Sequence, residues 1–432
     1  MSIFEYIPAI LRMIMIFILV LICIRKNLSL GNAFLLGTLF LSFLFGMQPR
    51  LTLTSMIASL TDPKTLSLAV IVSLILVLSN SMELAGQMQR MLKNFQGLIS
   101  SPRLNLIIFP ALIGLLPMPG GAVFSAPMVK ELGIGSKLSE AQLSFVNYWF
   151  RHIWEYWWPL YPGILLTTVI TEISLTTFML IMCPFTAIAV WLGYRALKGS
   201  GGFSQARAHH PRHVPLRPFI KELVPILTVI FPGLGMGILL SKLFRGFLIA
   251  KETGLILALC AAIAWVWHQN GTSRKQIVAT LTNPQLLKMM YMIAGILIFK
   301  GILTDSHAAA AVSRELMQMH IPLALVAASL PFLVGLSGGI VIAVVGSTLP
   351  VLVPLIHSLG EAHFLPAYAM LILVSGFVGV MLSPLHLCLL LSNEYFAVSI
   401  GSVYRQLWLP CLALIAAGAA YFWMLHWLWR WM

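Results

Sequence analysis

Apolar residues run along this chain in long stretches with little polar punctuation. Runs long enough to cross a bilayer as helix fall near residues 7–24, 28–46, 66–86, 174–194, 222–241, 253–268, 286–304 and 407–429. Two more, near 145–170 and 366–392, are interrupted by "PLYPG" and "SPLHL". Together these predict ten transmembrane helices in an all-α polytopic membrane protein. Two further apolar regions, 103–130 and 321–356, carry Gly-rich breaks at their middles. A basic polar linker, residues 195–221, separates a first membrane unit, 1–194, from a second, 222–432.

The two units resemble each other. "ASLTDPKTL" begins at Ala58 and "ATLTNPQLL" at Ala279, an offset of 221 that continues from Ile75-Leu76 to Ile296-Leu297. Gly120-Gly121 falls on Gly338-Gly339, and Pro159 on Pro384, at nearby offsets. Matches in the same order predict an internal repeat. If each unit has five spans and its Gly-rich region is a re-entrant hairpin, the units have opposite orientations and both termini lie outside. Seventeen basic residues, including Arg25, Lys26, Arg274 and all six in the linker, then face the cytoplasm against seven outside. Positive residues collect on the cytoplasmic side, so inverted repeats fit better than twelve full crossings.

Composition supports the membrane assignment. The chain of 432 residues is 59% hydrophobic and 9% charged, with a mean hydropathy of +0.93. Soluble domains carry about a quarter charged residues. The net charge of +14 is topological, since no basic stripe with interleaved aromatics indicates nucleic acid. The five cysteines lie in apolar runs without metal-ligand spacing, so no metal site is expected. The N-terminal run, which lacks a small-residue cleavage site before Arg25, reads as an uncleaved first span.

"LLPMPGGAVFSAPMV", Leu115 to Val129, breaks its helix near membrane depth. Irregular backbone survives there only inside protein or beside a watery cavity. Paired breaks in inverted repeats mark secondary transporters, whose sites lie at the repeat interface. Exposed helix N-termini attract anions there, and free carbonyls hold cations. The candidate ligands are therefore Pro119, Gly120, Gly121 and Ser125 at one tip, and Ser337, Gly338, Gly339, Ser347 and Thr348 at the other. Close packing of small residues is the competing explanation of such glycines.

In "NYWFRHIWEYWWPLYPG", Arg151, His152 and Glu155 share a helical face. Arg151 suits an anionic substrate, and His152 or Glu155 a coupling proton. The alternative is an aromatic belt of Trp149, Trp154, Trp157 and Trp158 with an ion pair at the membrane edge. Asn147 and Tyr161 join this set, and Ser383, Pro384 and His386 occupy the second interrupted span. No Walker loop or Gly-x-Ser-x-Gly elbow occurs.

"LLPMPGGAVFSAPMV", "NYWFRHIWEYWWPLYPG" and "LSPLHLCLLLSNEYF" together resemble the domain of unknown function 401 family. That family is grouped with the ion transporter superfamily of gluconate, citrate and dicarboxylate carriers. The resemblance implies two helical hairpins and two unwound helices around a central substrate, moved in an elevator-like way. The chain lacks the Ser-Asn-Thr tip motifs of the sodium-dicarboxylate branch. The expectation is an ion-coupled secondary transporter of a small organic anion, a carboxylate by resemblance, coupled to Na+ or H+. It would work without cofactor or catalytic residues, as a multi-pass homodimer of the inner (cytoplasmic) membrane. A membrane-embedded enzyme acting on a lipid or isoprenoid is the alternative.

Overall fold

The computed structural model describes residues 6–26, 28–99, 101–118, 120–134, 136–198, 215–244 and 246–430. All regular structure among them is helical. The first unit comprises α1 Ala9–Arg25, α2 Leu30–Leu44, α3 Pro49–Thr61, α4 Pro63–Leu84, α5 Gln87–Phe95, α6 Pro102–Ile113, α7 Ala122–Gly133, α8 Glu140–Arg151, α9 Pro162–Thr171, α10 Leu175–Met182 and α11 Pro184–Lys198. The second comprises α12 Leu216–Leu243, α13 Ala250–Gln269, α14 Arg274–Leu281, α15 Pro284–Asp305, α16 Ala308–Gln318, α17 Leu323–Gly338, α18 Val341–Ser358, α19 Leu365–Met381, α20 Leu387–Tyr395 and α21 Ile400–Trp429. Residues 195–198 and 216–221 of the expected linker are helical, and 199–214 lie outside the described residues.

Eight helices among the described residues are long and apolar enough to cross a membrane, or nine if α16 and α17, bent by 120°, count together. The chain is a multi-pass helical membrane protein. Seven of the ten expected spans are among the eight, while α1 and α2 fall short, 145–170 is split into α8 and α9, and α18, expected as a hairpin arm, is the eighth. Helices α1 and α2 have 17 and 15 residues, about 25 and 22 Å at 1.5 Å per residue. The arms α6 and α7 have 12 residues each, about 18 Å, well short of a ~30 Å hydrocarbon core. In the second Gly-rich region, α18 alone reaches 18 residues, longer than a re-entrant arm needs.

Local chemistry recurs between the units. Asp62 caps α4 by accepting from Thr65 N at 3.0 Å, and Asn283 caps α15 by accepting from Gln285 N at 2.9 Å. Proline follows each cap, where a missing N–H costs nothing. Gly86 precedes α5 with φ 64° and His307 precedes α16 with φ 55°. At the hairpin tips Gly120 has φ 75° and Gly339 φ 65°. The left-handed residue is thus the first glycine of one pair and the second of the other.

Packing is crossed. Helices α6 and α7 pack on α8, while α17 and α18 pack on α19. Across the units, α7 packs on α20 and α18 on α9. Helix α5 lies against α12, where Arg90 Nε meets Glu222 Oε1 at 3.1 Å and Arg90 Nη2 donates to Asn270 Oδ1 at 2.6 Å. Helix α16 lies against α1, and Glu315 accepts from Ala9 N and Ile10 N at 2.6 and 2.8 Å, capping that helix.

The second break, residues 382–386, falls inside the expected span. The first begins earlier than "PLYPG" indicates: α8 stops at Arg151, and residues 152–161 form non-helical turns. Arg151, His152 and Glu155 therefore do not lie on one regular helical face. The cause is a close approach, since Gly114 packs against the Arg151 carbonyl with no room for a Cβ.

Candidate functional site

Helix α6 ends before a segment rich in Pro and Gly, and the carbonyls of Ala111, Gly114 and Leu115 at this end need donors. Side chains of the first break supply them. Trp154 Nε1 donates to Ala111 O at 2.9 Å, and Trp158 Nε1 to Leu115 O at 2.9 Å. Tyr161 Oη donates to Gly114 O at 2.6 Å, and Arg151 Nη2 to Met118 O at 2.5 Å. Trp149 is buried and donates to Ala189 O at 2.8 Å, while Trp157 donates to Thr186 Oγ1 at 2.8 Å. The aromatic cluster thus ties the first break to the first hairpin, and its indoles are spent inside the protein.

Arg151 is 2% exposed. Its fork edge faces the first tip: a methyl added at Gly121 would lie 2.7 Å from Nη2 and 2.9 Å from Nε. Nε is buried and has no hydrogen-bond partner. Glu155 Oε1 stands 3.7 Å from Arg151 Nη1 and 3.7 Å from His152 Nε2. His152 Nδ1 is 2.5 Å from Tyr148 O. A carbonyl only accepts, so Nδ1 carries the proton and Nε2 presents a lone pair, 3.3 Å from Arg151 Nη1.

The second break meets the first here. The His152 and His386 rings stand edge to face at 5.0 Å, and Tyr148 packs against both, at 4.7 and 5.4 Å. The second tip closes the ring of contacts. A methyl at Gly339 would lie 3.0 Å from Ser383 Oγ and from His386 N. Gly121, Arg151, His152, His386 and Gly339 therefore form one continuous chain of contacts from tip to tip.

Other expected ligands are used locally. Ser125 Oγ donates to Asn147 Oδ1 at 2.6 Å, and Asn147 Nδ2 donates to Ala122 O and Ser392 Oγ, both at 2.9 Å. This buried network fastens α7, α8 and α20 together. Ser337, Ser347 and Thr348 donate to carbonyls of their own helices at 2.6, 2.7 and 2.8 Å. Ser383 Oγ accepts from Leu385 N at 3.2 Å, and Pro384 is exposed at the rim of the break. Gly120 packs on Leu391 and Leu387 of α20, Gly338 is buried, and Pro119 lies outside the described residues.

Sequence reasoning passed over Tyr148, Cys388 and Ser392. Cys388 follows His386 by two residues, and its sulfur lies within 4.8 Å of ligand nitrogens of His152 and His386. The polar pair Ser392-Asn393 inside "LLLSNEYF" was the available signal for the α20 network. A crevice of about 330 Å³ lies elsewhere, between α4, α9, α12 and α13, with the Lys64–Glu172 ion pair at 3.3 Å on its wall. None of the expected site residues lines it.

Buried charge, paired breaks and apolar spans define a polytopic membrane protein with a polar centre held between its two halves. Residues 8–424 match the family model described as "Protein of unknown function (DUF401)", and the chain belongs to that family. No curated protein matches it.

Proposed function

We propose that this chain is an ion-coupled secondary transporter of a small organic anion, built from two inverted repeats and working by alternating access. The observation that carries the reading is Arg151, a buried guanidinium where two hairpin tips and two helix breaks converge. A guanidinium fork grips a carboxylate through two parallel N–H···O bonds. The Nε–Nη2 edge of Arg151 presents that geometry, with Nε unpartnered and the Gly120–Gly121 turn covering it. In this reading the first tip is the lid: an incoming carboxylate takes the fork edge as the tip and Met118 O withdraw. Helix dipoles add to the attraction, since α9 and α20 both begin at the breaks. Glu155 and the two imidazoles are the polar partners for a coupling cation or proton.

The recurring caps, left-handed residues and crossed packing support the repeat, and five crossings in each half, the number the sequence predicts, would set the two in opposite orientations. The paired interruptions at its interface suit transport. We place the protein in the inner (cytoplasmic) membrane, as a homodimer whose fixed spans anchor a moving block, with membership of the ion transporter superfamily part of the same proposal.

The test is thermal stability of the purified chain against a panel of organic anions, with and without sodium and at two pH values. A bound ligand stabilises the folded form by mass action. A shift with one class of carboxylate, lost in Arg151→Met, followed by its uptake into proteoliposomes under a sodium or proton gradient, is the expected result. No shift with any anion, or one that Arg151→Met retains, overturns the assignment.

A further inference from the structure

The anion reading uses Arg151, gives the two imidazoles only a general part in coupling, and leaves the Cys388 thiol beside them without a role. His152, His386 and Cys388 are all buried, and their ligand atoms lie within 4.8 Å of one another. They come from both interrupted helices, so no spacing in the chain announces them. We infer that these three side chains form a site for a soft monovalent metal ion, Cu(I), at the crossing of the two breaks. The inference stands independently of the transport reading.

The geometry around each donor supports it. A histidine that binds metal through one nitrogen usually gives its other N–H to an acceptor, which fixes the ring. His152 does this, with Nδ1 on Tyr148 O at 2.5 Å and the Nε2 lone pair turned inward. His386 is 8% exposed, and its Nδ1 is buried without a hydrogen-bond partner. Such an orphan is costly inside a protein, and a metal bond removes the cost. Tyr148 wedges against both rings, and its hydroxyl is fixed on Met381 O at 3.0 Å.

Charge and ligand count select the ion. A thiolate with two neutral imidazoles suits Cu(I), which thiolate sulfur favours. Zn(II) in proteins takes four positions, and the nearest fourth ligand, Glu155, is shared with Arg151 at 3.7 Å. Binding Cu(I) releases the Cys388 thiol proton, so the metal and thiolate are neutral together. Zn(II) would leave a net positive charge beside the buried Arg151, which a low dielectric penalises. When Nε2 of His152 turns to metal, Arg151 Nη1 gives up its contact there and keeps Glu155.

The experiment uses the full-length chain in detergent, titrated anaerobically with Cu(I) against a chromogenic Cu(I) chelator, with a parallel Zn(II) titration. One Cu(I) per chain is expected, with affinity falling in Cys388→Ser by about 100-fold or more, at or beyond the upper end of the roughly 10–100-fold that loss of an outer-shell partner costs. Cys260→Ser, an exposed cysteine on α13, serves as the control and keeps the affinity. X-ray absorption of the Cu(I)-loaded wild type, which needs no variant to fold, is expected to show one sulfur and two nitrogens. Cu(I) binding unaffected by Cys388→Ser, a coordination shell dominated by thioethers, tighter Zn(II) than Cu(I) binding, or no stoichiometric uptake would each overturn the proposal. Failure of every anion in the stability panel would leave these readouts unchanged, so the two proposals fail separately.

Discussion

His152 and His386 stand edge to face with ring centroids 5.0 Å apart, one from each interrupted helix. Tyr148 packs on both rings, so the two breaks share one wall of contacts. The network from Ser125 through Asn147 to Ser392 ties the first hairpin to the same pair of helices. In the proposed transport cycle, tips and breaks would move as one body, apart from the local withdrawal of the first tip that admits the anion. The larger motion would run along the outer boundary of that body.

Arg151 and Glu155 are expected to separate stability from binding. Removing one partner of a buried pair costs about 3–5 kcal/mol, because the other charge stays behind unpaired. Arg151→Met alone is thus expected to lower thermal stability sharply. The double variant Arg151→Met with Glu155→Gln restores most of it and still gives no anion-dependent shift. Denaturation of the single and double variants, with and without the anion panel, checks both halves of this statement.

Three of the four tip glycines, Gly121, Gly338 and Gly339, are not equivalent. Gly121→Ala places a methyl 2.7 Å from Arg151 Nη2 and is expected to weaken the anion response by displacing the fork. Gly339→Ala adds a contact at 3.0 Å to the His386 backbone and a φ of 65° that a Cβ resists, for about 1–2 kcal/mol. Gly338→Ala meets nothing within 4 Å and ends a helix, so it is expected to be neutral or to stabilise by up to ~1 kcal/mol. Melting temperatures of the three variants, ranked with 338 highest, are the check. Equal losses at 338 and 339 would contradict it.

Seven of the ten expected spans and the second break are legible in the sequence because length, Pro and Gly act locally. "SPLHL" ends α19 where its proline and flanking residues indicate. The first break was misplaced for a tertiary reason: Gly114 admits the Arg151 carbonyl, and Trp154, Trp158 and Tyr161 donate across to α6. Periodicity carries no information about such a partner. The tryptophans read as an interfacial belt for the same reason, since composition alone does not show where an indole N–H goes. Position along the chain marks the hydroxyls of Ser347 and Thr348 as candidate ligands, and in the fold both donate to carbonyls of their own helix. Cys388 was dismissed on spacing, and only the crossing of two distant helices places it by the histidines.

Asn147 is a structural fastener by its bonding: it accepts from Ser125 and donates to Ala122 O and Ser392 Oγ, all fully buried. Asn147→Ala strands those groups, and each buried polar atom left unpaired costs about 1–3 kcal/mol. The variant is expected to melt well below wild type while any anion-dependent shift in melting temperature survives in the folded fraction. Loss of the shift without loss of stability would instead make Asn147 a ligand.

The boundary of the moving body offers the last test. Lys64 begins α4, and Glu172 follows α9 with its side chain 3.3 Å away across the crevice wall. Both side chains reach solvent, so the pair itself contributes little stability. Its value is positional, because the proposed moving body includes α9, which packs mainly on α18, while α4 packs chiefly on α13 and α15. Lys64→Cys with Glu172→Cys, joined by a short bifunctional linker, is expected to stop uptake while leaving the anion-dependent melting shift intact. A linker between Cys residues placed at Val123 and Leu390, on α7 and α20, pins the lid instead and is expected to abolish the anion-dependent melting shift as well as uptake. Uptake that persists in the first cross-linked pair would mean that α9 and α4 move together, and the proposed boundary would be wrong.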